Sequence, residues 1–230
     1  MQKGFSMKIK ADLKALGQQA GYTLIELSIS VAIIAVLVVT GLYGVPRILD
    51  TNKVTNTVQQ IMLAVANYSK LASTSSDTGW ATSGTVTYTA GTPLVLATMG
   101  VWSDENLLKA ANGIPFGLKH EFGGNIYSRN ATTGISNFMG ANEGFILKLE
   151  RIPAKNCFAV ASSFGNTALQ IEVETTTTVL VGPMTADPSG FAIVKAAGSA
   201  LNLATGTFGL AQQCQTNPNS AKSIYLWFPY

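Results

Sequence analysis

From Leu27 to Val45 the chain carries no charge, and Ile, Val, Leu and Ala dominate the run. A stretch of that length and composition predicts a helix able to span a bilayer core. Beyond it the pattern changes. Val54, Val58, Ile61, Met62, Val65 and Leu71 recur at helical spacing, with Asn52, Lys53, Asn56, Gln59, Gln60 and Asn67 between them. That alternation predicts one amphipathic helix laid on a globular head. Gly41, Gly44 and Pro46 fall at the change of character. Pro46 lacks a backbone donor and crowds the preceding turn, so a kink is expected there, with a helix end as the alternative.

The turn residues of Ala72–Gly84 predict a loop, after which the pattern becomes strand-like. Strands are expected at Thr85–Thr89, Pro93–Ala97, Gly144–Arg151, Ala168–Glu174, Thr177–Val181 and Ser223–Phe228. Ser103-Asp104-Glu105 predicts a short helix ending near Asn112-Gly113, and Pro153–Ser163 a second one. The fold class is therefore α+β, a long N-terminal helix packed on an antiparallel sheet. The domain reading is a basic leader at 1–21, the long helix at 22–72 and a head at 73–230, large enough for its own core.

Charge alters the picture at the N-terminus. Met1–Gly21 holds Lys3, Lys8, Lys10 and Lys14 against Asp12, which keeps this segment cytoplasmic. In a secretory signal peptide the small-residue cleavage site follows the apolar core. Here Gln19-Ala20-Gly21 precedes it, so a cut removes the leader and leaves the apolar helix in place. Fifteen basic and twelve acidic residues then become eleven of each, and the apparent basicity disappears. No Lys/Arg stripe points to specific nucleic acid.

Glu26 is the one carboxylate at the head of the apolar run. It is read either as a group at the headgroup level or as a functional intramembrane charge that needs a cationic partner. A cut after Gly21 would supply that partner, an α-amino group on Tyr22.

Gly21-Tyr22-Thr23-Leu24-Ile25-Glu26-Leu27, with the apolar tail behind it, resembles the prepilin peptidase site of type IV pilins. The resemblance implies cleavage after Gly21 by an inner-membrane peptidase and methylation of the new terminus on Tyr22. It implies that Glu26 neutralises the terminus of an adjacent subunit during assembly. Tyr22 stands where better-known pilins have Phe, or other apolar residues in the type IVb branch. Thr23 to Glu26 reads like type IVa, whereas the leader and chain length lean to type IVb. The expected partners are copies of the chain, the peptidase, the inner-membrane assembly machinery, minor pilins, and a host or recipient-cell surface. The expected location is the bacterial inner membrane, then an extracellular filament serving adhesion, aggregation or conjugation. A minor or tip pilin, a pseudopilin and a membrane-anchored periplasmic binding protein are the alternative readings.

Cys157 and Cys214 are the only cysteines, and in an exported head they favour one disulfide over two buried thiols. Their spacing matches no zinc pattern, and no cofactor motif is present. In the resembled family a disulfide near the carboxyl end bounds a variable surface region, which here would be 157–214. The single histidine, His120, lies between Lys119 and Glu121 and reads as an ordinary surface residue. No catalytic constellation is expected.

Overall fold

The computed structural model describes residues 23–74 and 100–229, apart from 110, 114, 132, 141–142, 175–183, 185–186, 190 and 204–208. The leader, Gly21, Tyr22 and the strands expected at 85–89, 93–97 and 177–181 lie outside these residues, as does most of the expected loop at 72–84. The chain divides into two compact units, 1–48 and 49–230.

Helix α1 runs unbroken over Leu24–Thr74, straight through Pro46. The alternative of a helix end at Pro46 is thereby overturned, and the helix extends two residues past the expected Ala72. In the first unit its large apolar side chains, among them Ile29, Ile33, Leu37 and Leu42, are exposed.

The head is a five-stranded sheet with every neighbouring pair antiparallel, in the order β3-β4-β7-β5-β6. The strands are β3 (Ile126–Asn130), β4 (Gly144–Ile152), β5 (Gln170–Val173), β6 (Ala192–Lys195) and β7 (Lys222–Pro229). The pleat sends alternate residues to opposite faces. Phe145, Leu147 and Leu149 of β4 and Ile224, Leu226 and Phe228 of β7 meet Ile61, Ala64 and Tyr68 of α1 in the main core. Val54, Val58, Met62 and Val65 pack around it, so the helical spacing read from the sequence is the buried stripe. Tyr68 stacks on Phe145 at 4.7 Å, and Phe145 on Phe228 at 5.4 Å.

Helix α2 (Ala154–Ser163) follows Pro153, and helix α3 is Leu210–Gln215. The disulfide Cys157–Cys214 joins them, with Cα atoms 5.6 Å apart. The expected helix at 103–112 is corrected. Only Asp104–Asn106 forms a 3₁₀ turn, and Leu107–Lys109 (β1) pairs antiparallel with Pro115–Leu118 (β2). The Asn106 amide anchors that turn, donating to Gln60 Oε1 of α1 at 2.7 Å and to the Lys119 carbonyl at 3.2 Å.

Candidate functional site

The N-terminus of α1 is the first candidate. Thr23 caps the helix, its Oγ1 accepting from the Glu26 N–H at 3.3 Å while its carbonyl accepts from the Leu27 N–H. Thr is a favourable cap because it satisfies a donor that the first turn leaves unpaired. Glu26 therefore sits in the first turn, where the helix dipole favours negative charge. By length and composition the helix behind it can cross a membrane. Gly41 and Gly44 face open space, with nothing within 4 Å of an added Cβ.

Cys157 and Cys214 are brought together as expected. His120 is corrected: it is 3% exposed, not a surface residue. Its Nε2–H donates to the Glu150 carbonyl at 2.7 Å, and its Nδ1 accepts from the Phe122 N–H at 3.2 Å. That pattern fixes one neutral tautomer. Burial holds the imidazole below its ordinary value of 6.5, against the opposing pull of the Glu150 carbonyl and Glu121. The buried ring is a structural peg between β4 and the turn before β3.

Sequence reading missed the second face of the sheet. Tyr127, Ile146, Tyr225 and Trp227 form a smaller core there with Met139 and Met184. Among them lie buried charges: Lys148, Glu150, Glu172 and Glu174. Lys148 Nζ is 3.6 Å from Glu150 Oε1 and lies over the Tyr127 and Tyr225 rings. Burial lowers the Lys148 pKa, with Glu150 and Glu174 opposing the shift. Burial likewise raises Glu172, against hydrogen bonds from Gln170 and Trp227. The only available signal was charge at alternate strand positions, a pattern that normally marks a solvated face. Among the described residues no group of His, Cys, Asp and Glu could hold a metal ion.

Comparison with known proteins adds three findings. Residues 16–42 match the family model described as the prokaryotic N-terminal methylation motif, which spans the Gly21–Leu27 junction and the start of α1. No curated protein sequence matches. Among solved structures, the type IV b pilin from Salmonella typhi is similar, with 12% identity, 76% of this chain and 98% of that chain covered, and a TM-score of 0.47. TcpA, a type IV pilin from the Vibrio cholerae El Tor biotype, is similar with 14% identity, 77% and 98% coverage, and a TM-score of 0.41. The motif match covers the N-terminal segment, and the architecture is an apolar N-terminal helix with an antiparallel-sheet head.

Proposed function

We propose that the chain is a prepilin cut after Gly21, N-methylated on Tyr22 and polymerised through α1 into a surface filament. The observation that carries this reading is the methylation-motif match across 16–42, on the residues where a basic leader gives way to an apolar helix. The exposed apolar side chains of α1 supply the driving force. They are covered first by lipid in the inner membrane and then by the same helices of neighbouring subunits. Head-to-tail contacts of this kind do not close on themselves and so generate fibres.

Glu26 gives the transfer its register. In an apolar surrounding an unpaired carboxylate is costly, and a cationic terminus on the neighbouring chain relieves that cost. The first-turn position of Glu26 suits the pairing, because Tyr22 lies only four residues before it in the sequence. Gly41, Gly44 and Pro46 mark the place where α1 can adjust as it leaves the bilayer. The disulfide-bounded region 157–214 is assigned to subunit and cell-surface contacts in adhesion, aggregation or conjugation. We infer a subunit nearer the type IVb branch, although Thr23 to Glu26 reads like type IVa.

The test is Glu26→Val. The variant should insert in the membrane and lose its leader, yet yield no sheared filaments. Wild-type piliation in that variant would remove the terminus–carboxylate mechanism. A membrane-anchored binding protein would instead keep residues 1–21 and tolerate the substitution.

A further inference from the structure

A cleft of about 360 Å³ opens on the second face of the head sheet, away from the α1 core. Its floor is Gln170 and Glu172 of β5 with Trp227 of β7. One wall is Phe191 and Ile193, and the other is the loop at 133–136. The walls are fixed. Phe191 stacks on Tyr225 at 4.8 Å, and Asp187 Oδ2 accepts from both the N–H and Oγ1–H of Thr133 at 2.6 Å. This volume lies at the lower end of the range for small-ligand sites, roughly 300–1,000 Å³.

The polar groups of the floor are arranged unevenly. Glu172 is 3% exposed, and its Oε1 accepts from Trp227 Nε1 at 2.9 Å and from Gln170 Nε2 at 2.7 Å. These two bonds occupy one carboxylate oxygen and leave Oε2 without a hydrogen-bond partner among the described residues. Gln170 Oε1 is in the same position. Neither oxygen is among the buried atoms left without a partner, so both stay accessible, and an outside hydroxyl or amine donor in the cleft can reach them. Among the described residues the lining holds no Lys, Arg or His, which disfavours an anionic ligand. Phe191, the 45%-exposed Ile193 and Trp227 offer apolar and aromatic surface beside the acceptors. A pyranose ring presents both complements, hydroxyl donors around its rim and an apolar C–H face.

The geometry points to a binding site for a neutral saccharide in this cleft, with Glu172 and Gln170 accepting its hydroxyls and Phe191 and Ile193 covering its apolar face. The site goes beyond the filament role and does not depend on assembly, because all its groups lie between 133 and 227 of one chain.

The test uses unassembled full-length protein in detergent and saturation-transfer NMR. The probes are methyl glycosides of glucose, galactose, mannose and N-acetylglucosamine, with cadaverine as the amine probe. At least one glycoside should bind with a Kd in the millimolar range or tighter. Glu172→Gln, which turns one acceptor into a donor, should weaken it about tenfold or more. Ile193→Ala, at an exposed position, should weaken it severalfold with the fold intact. Lys155→Ala, remote from the cleft, should leave binding unchanged. The assignment is overturned if no glycoside binds, if cadaverine alone binds, or if both cleft variants bind like the wild type.

Discussion

His120 shows how a single side chain ties the head together. The turn that carries it brings Gly124 so close to β4 that a Cβ there would lie 1.8 Å from the Glu150 carbonyl oxygen and 2.7 Å from His120 Nε2. Backbone cannot yield as a side-chain tip can, so Gly124→Ala should destabilise the head by about 1–3 kcal/mol, read as a lower melting temperature. The ring also makes stability pH-dependent. Its folded pKa lies below the unfolded value of 6.5, so the unfolded chain binds more protons in that window. The contribution is present above 6.5 and is lost as pH falls. Denaturant melts at pH 7.5 and 5.5 should therefore show a smaller acid loss in His120→Gln than in the wild type, and equal losses would contradict the buried neutral ring. Charged neighbours at 119 and 121 hid this residue in the sequence. Both flanking side chains are exposed while the ring turns inward, an alternation too short to read.

At the scale of elements, the disulfide binds α2 to α3 across 57 residues. Closing a loop of that size is worth about 4 kcal/mol in the chain-entropy model. The Cys157→Ala/Cys214→Ala pair should lower the melting temperature by roughly ten degrees. Cys214→Ser should also abolish surface filaments if the 157–214 region makes subunit contacts, and normal filaments would count against that role. The long elements were legible in the sequence: α1 from its spacing, α2 from Pro153, and β4, β5 and β7 from alternation. The short ones were not. β1 and β6 have three and four residues, too few to establish a period. The acidic start at Asp104 and the stop at Asn112-Gly113 imitate helix signals, but Asn106 bonds to Gln60 and Lys119, and the chain turns into the β1–β2 pair. The buried charges opposite α1 were illegible for a different reason. Lys148 and Glu150 alternate like solvent-facing residues, and only the loops carrying Met139 and Phe191 bury that face.

On the scale of the molecule, two chemistries are joined in one chain. The first unit offers lipid-like apolar surface with one carboxylate at its head, and the second offers a disulfide-bonded head of low charge. The N-terminal junction was legible because the motif it matches is a short run of residues read in order. The cleft was not, because its groups come from four separate segments that only the folded head brings together. The cut after Gly21 is the central claim. Intact-mass and N-terminal analysis of protein from a sheared cell-surface fraction tests it directly. A chain beginning at methylated Tyr22, with Cys157 and Cys214 joined, is the predicted result. Full-length protein starting at Met1 and confined to the membrane would contradict it.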